Sequence, residues 1–145
     1  MKLAEMQLKH YHFIQLHLEA LNNEFLDGTV KQSLYKEPDA DKLKTTIVFG
    51  EPEAIEEGAE YFFVLTLGLE YKQANFPYYF KAELEGVFTL GELAKDEQLR
   101  HRLVVNATSV LYSSARDQLL TLSARHKHGP IMLPSLDFRT ITAAE

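Results

Sequence analysis

Alternation of hydrophobic and polar positions with a period of two predicts four β-strands in the first two thirds of the chain. The pattern, which is typical of strands, runs through residues 9–20, 42–49, 61–71 and 78–90. A short link, residues 73–77, joins the third run to the fourth, and such a length favours an antiparallel hairpin. We therefore expect an antiparallel sheet whose third and fourth strands are neighbours.

The first predicted strand carries hydrophobic residues on both of its faces. With uninterrupted alternation, Tyr11 and Phe13 lie on one face and Ile14, Leu16 and Leu18 on the other. Eight aromatic residues also cluster around the third and fourth strands: Tyr61, Phe62, Phe63, Tyr71, Phe76, Tyr78, Tyr79 and Phe80. Because single subunits rarely expose large apolar patches, this surplus predicts cover by a second subunit or by an unfolded polypeptide.

After Gly91 the period of the hydrophobic positions changes to about 3.6, which predicts a long amphipathic helix. Its apolar positions are Leu99, Leu103, Ala107, Val110, Leu111, Ala115, Leu119 and Leu122. Ser114 followed by Asp117 has the spacing of a capping box and predicts a bend after which the helix restarts. Gly129-Pro130 ends the helix, and residues 136–141 are expected to form a short second helix.

Strands followed by a helix indicate an α+β fold. We expect a four-stranded antiparallel sheet, a long C-terminal helix covering one face of it, and the short second helix. The 145 residues are enough for one domain, so residues 1–145 are taken as a single domain.

Composition and charge narrow the classes of function. A net charge of −6, without basic residues gathered on one face, argues against nucleic-acid binding. Cysteine is absent, which excludes disulfides, thiol catalysis and cysteine-ligated metals. The amino-terminal segment lacks the continuous apolar stretch of a signal peptide, and the longest uncharged apolar run, 61–69, is far shorter than the ~20 residues that span a bilayer. We expect a cytoplasmic protein without membrane insertion.

Candidate catalytic and metal-binding residues are sparse. His10 and His12 share a strand face by their spacing, and His126 lies close to His128, but no cysteine or matching acidic pair accompanies them. Solvated or hydrogen-bonded histidines are therefore expected. Ser113-Ser114 lacks the Gly-x-Ser-x-Gly context of a nucleophile elbow, and no phosphate-binding glycine loop is present. We expect no catalytic residue, no metal and no cofactor; a closed polar pocket with clustered histidines would favour a small-ligand or enzymatic domain instead.

Several short motifs occur in a fixed order between residues 86 and 138. They are Gly86-Val87-Phe88 at a strand end, Asp96-Glu97-Gln98 and Arg100-His101 at the helix start, Leu111 and Ala115-Arg116-Asp117 in its middle, and Leu133, Asp137 and Phe138 in the tail. This order resembles the SecB family of protein-export chaperones, most specifically over residues 86–138.

The resemblance implies a SecB-like holdase, a chaperone that binds unfolded or precursor polypeptides in apolar surface grooves without ATP or cofactor, for protein export. It also implies a homotetramer built as a dimer of dimers. The client-binding positions that it places on the second strand and on the tail are Ile47, Phe49, Leu133 and Phe138. The aromatic pattern of the strand hairpin adds Phe76 and Tyr78 to this predicted groove.

Subunit contacts are expected on the long helix, at Leu111, Tyr112 and Arg116. Two departures from the family argue against docking to its motor protein, SecA. Lys81 stands on the sheet face where members that deliver cargo to SecA carry an acidic residue, and the segment after Phe138 lacks a long acidic, amide-rich tail. Two binding functions stay open: a general holdase, and a dedicated SecB-like adaptor that recognises one partner segment, such as an antitoxin tail, in a groove or at a sheet edge.

Overall fold

A computed structural model describes residues 6–22, 35–55, 60–91 and 97–140. Within these ranges the chain forms a five-stranded antiparallel sheet and one long α-helix. The elements in chain order are β1 (Met6–Ala20), β2 (Lys44–Phe49), β3 (Glu53–Ala54), β4 (Tyr61–Tyr71), β5 (Tyr78–Leu90) and α1 (Glu97–Ser123). A single 3₁₀ turn, Ala40–Lys42, precedes β2.

The four long strands lie in the order β1, β5, β4, β2, and each neighbouring pair is antiparallel. Strands β4 and β5 pair from Tyr61 opposite Leu90 to Tyr71 opposite Phe80, which confirms the predicted hairpin. The two residues of β3 pair with the beginning of β4. The predicted α+β fold, an antiparallel sheet with a long C-terminal helix, is confirmed.

The core lies between α1 and one face of β4 and β5. Alternate residues of these two strands are buried on this inner face, and the residues between them lie on the outer face. Inner-face side chains with 1% exposure or less are Phe63, Leu65, Leu67, Leu69, Tyr78, Phe80, Ala82, Leu84 and Phe88. Most of the aromatic residues that the sequence presented as a surplus are therefore core residues.

Helix α1 is continuous, and its inner side packs on this core. Buried residues on that side include Leu103, Ala107, Leu111, Ala115 and Leu119. The predicted bend at Ser114 is wrong, because the Ser114 hydroxyl donates to the Val110 carbonyl, 3.1 Å away and one turn earlier, instead of capping a new helix. Within the described ranges, neither α1 nor any other helix has an apolar stretch that could cross a membrane.

The segment that follows α1, residues 129–138, is extended, and we call it the tail. The Ser123 hydroxyl fixes its beginning by accepting the Ile131 backbone N–H at 2.7 Å. The tail then runs back along α1, and the ring of Phe138 packs edge-on against that of Tyr112 with 5.3 Å between the ring centroids. Because Ile131 and Phe138 are both buried, the tail is part of the core.

The short second helix predicted for residues 136–141 does not form over 136–140, and Ile141 lies outside the described residues. The carboxylate of Asp137 explains the difference. It accepts the backbone N–H of Arg139 at 3.0 Å and the Arg139 side chain at 2.7–3.1 Å. A carboxylate that binds the backbone two residues later stabilises a turn and competes with a helix.

Two β-bulges in β1 place almost all of its hydrophobic residues on one face. The register with β5 shifts after Leu8 and after Phe13, so that Lys9 and Ile14 are extra residues without a directly opposed partner. Each extra residue reverses the alternation. The residues opposite the inner-face positions of β5 are consequently Met6, Leu8, Tyr11, Phe13, Leu16, Leu18 and Ala20. The prediction of hydrophobic residues on both faces is wrong for this strand, with Ile14 as the exception.

Gly86 tests the contact between the sheet and α1. A methyl group at this position would lie 2.8 Å from a Leu111 methyl carbon and 2.9 Å from the Phe88 ring, and both neighbours are fully buried. We expect Gly86→Ala to lower the free energy of unfolding by about 1–3 kcal/mol through overpacking, measured by urea denaturation.

Gly68→Ala is the matched control on the outer face. The added methyl there overlaps the Thr46 hydroxyl, but Thr46 is exposed, so a change of its side-chain rotamer meets solvent and not packed core atoms. Its expected effect is about 0.5 kcal/mol or less. Equal losses in the two variants would show that α1 does not pack on Gly86 as described.

Candidate functional site

The inner face of β1 carries hydrophobic residues that α1 leaves partly uncovered. We call Leu8, Tyr11, Phe13, Leu16 and Leu18 the β1 strip. Leu8 is 37% exposed and Tyr11 is 42% exposed, and the other three are half-buried. Their neighbours on β5 are buried, so exposure begins where the sheet passes from β5 to β1. Within the strip, Leu8 and Tyr11 are the exposed residues, while Phe13, Leu16 and Leu18 pack against the edge of the core.

The strip lies on the terminal strand of the sheet that the described residues form. Strand β1 is 15 residues long and is the last strand on its side, so no described residue pairs with its outer edge. Ile14, the second bulge residue, is 51% exposed along this strand. An unpaired edge with hydrophobic side chains offers backbone hydrogen bonds and apolar contacts to another extended chain.

The outer face of the same sheet is polar near β1. His12 faces Glu85, with 3.3 Å between His12 Nε2 and a Glu85 carboxylate oxygen. Further along the sheet, the Tyr79 hydroxyl donates to Glu70 at 3.1 Å. Because these side chains satisfy one another in solvent, this part of the outer face does not require apolar cover. Apart from the bulge residue Ile14, the exposed hydrophobic side chains of β1 thus lie on its inner face.

A second candidate surface is an aromatic cleft at the end of the sheet where β4 turns into β5. It has a volume of about 340 Å³ and is lined by Tyr35, Lys36, Glu37, Asp39, Lys42, Tyr71, Asn75, Phe76 and Pro77. The Tyr71 and Phe76 rings meet edge-on with centroids 4.9 Å apart, and the Tyr71 hydroxyl accepts the Asp39 N–H at 3.0 Å. Tyr35 is 39% exposed. The cleft therefore combines an aromatic wall with a charged rim.

Most of the residues predicted to bind clients lie inside the subunit. Ile47, Tyr78, Leu133 and Phe138 are 7%, 0%, 0% and 6% exposed. The Tyr78 hydroxyl donates to the Gly129 carbonyl and accepts the His128 N–H, and burial raises its pKa above the ordinary value. As placed, these four side chains could meet a client only after the surrounding chain moved.

The other two predicted client-binding residues, Phe49 and Phe76, reach the surface of the subunit. Phe49 is half-buried and packs edge-on against Phe63, with 5.1 Å between ring centroids. Phe76 is 6% exposed but forms part of the wall of the aromatic cleft. Contact of any of the six residues with a client stays a prediction.

Of the three residues predicted to contact another subunit, two are buried within their own subunit and one is half-buried. Leu111 and Tyr112 are 0% and 4% exposed within their own subunit. Arg116 is half-buried, and its Nε has no hydrogen-bond partner among the described residues. A buried donor without a hydrogen-bond partner costs free energy. Of the three residues, Arg116 would therefore gain most from an acceptor on a neighbouring chain.

The histidines lie apart from the cleft. His126 and His128 donate to the backbone carbonyls of Leu122 and Leu21, each at 2.7 Å, and the Tyr78 ring lies between them and the core. In the part of the chain that the structure describes, no group of three or more His, Asp and Glu residues is arranged to hold a metal ion. No histidine lines the aromatic cleft, so the cleft does not match the polar histidine pocket of the enzymatic alternative.

Sequence reasoning found the hydrophobic residues of β1 but divided them between the two faces, and it missed Tyr35. The division was wrong because the bulges at Lys9 and Ile14 cannot be seen in a strict period of two. Tyr35 stands in a polar connection, with no hydrophobic period to single it out. The position of Tyr35 in the aromatic cleft depends on the parallel bridge between Lys36 and Ile131, which joins the segment before β2 to the tail.

Comparison with known proteins gives a fold but no family. No family model matches the chain, and no curated protein matches it. A protein of unknown function from Streptococcus agalactiae has a similar structure: 13% sequence identity, a TM-score of 0.65, and coverage of 90% of this chain and 98% of that one. This pair shares the fold.

A second solved structure is the SecB-like chaperone of Mycobacterium tuberculosis in complex with a ChAD peptide from an antitoxin. It is 14% identical, covers 91% of both chains, and has a TM-score of 0.47. Because that score lies below 0.5, no functional conclusion is drawn from this pair.

Tyr112 reports on the docking of the tail. Its hydroxyl donates to the Pro134 carbonyl at 2.5 Å, and burial raises its pKa from the ordinary 10.0 to about 12 although Arg116 acts in the opposite direction. The phenol therefore ionises first in the unfolded chain, so the free energy of unfolding should fall by about 2 kcal/mol as pH rises from 10 to 12. Tyr112→Phe should lack this part of the alkaline loss, measured by urea denaturation across that pH range.

The matched control is Tyr11→Phe, since Tyr11 is 42% exposed. It should keep the alkaline loss of the parent protein. If Tyr112→Phe showed the same loss as the parent, the tail would not enclose the phenol.

Proposed function

We propose that this protein is a holdase chaperone that binds unfolded polypeptides on exposed apolar surface. The observation that carries the proposal is the β1 strip on the terminal strand of the described sheet, with Leu8 and Tyr11 exposed. The order of motifs over residues 86–138 that resembles the SecB family supports the same function and membership of that family. The function needs no bond-breaking chemistry, no ATP and no cofactor.

The physical basis is competition with the collapse of the client. Full burial of a large apolar side chain contributes about 1.5–3 kcal/mol, and a half-exposed one correspondingly less. Several such contacts along one strand sum to useful affinity without recognising a particular sequence. A folded client has already buried its own apolar groups and has no extended segment to offer, so it should not bind.

In this proposal an extended client segment adds to the outer edge of β1. Its backbone pairs with the edge, and alternate side chains lie on the β1 strip. The aromatic cleft, with Tyr35 and Phe76, provides a second contact. The predicted contacts at Leu133 and Phe138 require the tail to leave α1, and the contact at Ile47 requires its buried side chain on β2 to become exposed.

We further propose that copies of the chain associate through α1, where the Nε of the half-buried Arg116 has no hydrogen-bond partner among the described residues. A hydrogen-bond acceptor on a neighbouring chain would remove the cost of this unsatisfied donor. This leaves β1 free for clients and agrees with the homotetramer, a dimer of dimers, that the SecB resemblance implies. A cytoplasmic location and a role in export belong to the same proposal.

The first test is suppression of aggregation. An unfolded substrate kept reduced should aggregate less when the protein is present at stoichiometric concentration, followed by light scattering. Absence of suppression at several-fold excess would contradict the proposal.

The second test locates the binding surface. Leu8→Ser and Tyr11→Ser each remove about 1 kcal/mol of apolar contact, so each should weaken binding of an unfolded client about fivefold, and the double variant about 25-fold. Binding is measured by fluorescence anisotropy of a labelled unfolded polypeptide. Circular dichroism checks that the variants fold.

Val48→Ser is the control for these variants. Val48 is 51% exposed but lies on β2, at the opposite edge of the sheet. It should bind clients as the parent does. Variants of Leu8 and Tyr11 that lower the mass of the assembly and leave client affinity unchanged would make β1 a subunit interface and contradict its assignment to clients.

The terminal position of β1 in the described sheet also favours a second function, that of an adaptor dedicated to one extended partner segment. Strand addition along 15 residues can select one register and one sequence. Competition separates the two: many unrelated unfolded peptides should displace a bound client from a holdase, whereas only one segment should displace the partner of an adaptor.

A further inference from the structure

The outer face of β1 carries a pair of imidazoles that face each other. His10 and His12 are two residues apart on the strand, and their rings have centroids 5.0 Å apart. His10 Nε2 lies 3.0 Å from His12 Nδ1. Both side chains are exposed, and they lie on the face opposite to the β1 strip.

The separation of these two nitrogens suits a chelate. An imidazole nitrogen binds a late first-row metal at about 2.0–2.1 Å, so two nitrogens 3.0 Å apart would subtend about 90–100° at a shared ion. That angle fits neighbouring positions of tetragonal or octahedral coordination, the geometry that Cu²⁺ and Ni²⁺ prefer with nitrogen and oxygen ligands. Binding of an ion requires only that the proton of the hydrogen bond between the two rings leaves its position between them.

Glu85 prepares His12 for this role. Its carboxylate lies 3.3 Å from His12 Nε2 and stands directly across the sheet from His12. A proton on Nε2 is held by the carboxylate, which leaves the lone pair of Nδ1 facing His10. A metal-ligating histidine typically has such an outer carboxylate, which fixes its tautomer and orientation.

The surroundings admit a hydrated ion. The side chains of His12 and Glu85 are 46% and 34% exposed, so solvent reaches the pair. Directly across from His10 stands Val87, which offers no competing charge. The described residues supply no third ligand, and water completes the coordination.

We propose that His10 and His12, oriented by Glu85, form a two-imidazole binding site for a divalent late transition metal on the outer face of β1. Affinity should follow the order Cu²⁺ > Ni²⁺, with Cu²⁺ also above Zn²⁺. On ion binding, the His10 proton moves from Nε2 to Nδ1 by exchange with water, and the hydrogen bond between the rings is replaced by two metal–nitrogen bonds. The site does not depend on the proposed chaperone function, because it lies on the other face of the sheet.

The test is titration of the untagged full chain with Cu²⁺ and with Zn²⁺ by calorimetry near neutral pH. We expect one Cu²⁺ site per chain, with an electron paramagnetic resonance spectrum that shows two coupled nitrogens. His10→Gln and His12→Gln should each abolish the two-nitrogen spectrum. Glu85→Gln should keep both nitrogens and weaken binding about tenfold.

His17→Gln is the matched control, because His17 lies on the same strand face beside Glu19, at 3.5 Å, without a second imidazole. It should leave Cu²⁺ affinity and the spectrum unchanged. Loss of the strongest Cu²⁺ site in the control, or its persistence in the His10→Gln, His12→Gln double variant, would overturn the proposal.

Discussion

One helix cannot cover a sheet of four long strands, and this mismatch of widths shapes the whole molecule. Neighbouring strands lie about 4.8 Å apart and a helix is about 10–12 Å across, so α1 shields roughly two strands. Those two are β4 and β5, the central strands, whose inner residues are almost fully buried. The extended tail packs beside α1 and completes the cover on its side, with Ile131, Leu133 and Phe138 in the core. The described residues cover strand β1 only in part: Phe13, Leu16 and Leu18 pack against the edge of the core, whereas Leu8 and Tyr11 are exposed.

The two bulges in β1 place the hydrophobic side chains of this strand mainly on the inner face of the sheet. Without them, hydrophobic side chains of β1 would be divided between the faces of the sheet. With them, Leu8, Tyr11, Phe13, Leu16 and Leu18 share the inner face, and polar residues, His10 and His12 among them, share the outer face. One strand thereby carries an apolar surface suited to polypeptides and a polar surface with a chelating pair. The two proposals in this protein follow from the same local irregularity.

The elements that the sequence predicts well are those whose side chains alternate without interruption. Strand β5, with Lys81, Glu83 and Glu85 between buried residues, shows its inner and outer faces directly, and the positions of Leu103 to Leu119 in α1 do the same for the helix. The sequence does not predict which face of the sheet a side chain occupies where the backbone departs from the ideal period of two, as at Ile14. Local hydrogen bonds explain other differences: the Ser114 hydroxyl bonds back to Val110, and Asp137 binds Arg139 in a turn.

For the candidate site, the sequence indicated hydrophobic surface for polypeptides, but the structure buries several of the residues assigned to it, Tyr78 and Leu133 among them. A hydrophobic residue has the same place in the sequence pattern whether or not a later segment of the chain covers it. Hydrogen–deuterium exchange of the β1 amides, with and without an unfolded client, tests the central claim most directly. The account predicts that outward-pointing amides of Met6–Ala20 exchange quickly in the client-free protein and become protected when a client binds, while those of β2 do not change. Protection of the β1 edge before any client is added, or no change on binding, would contradict it.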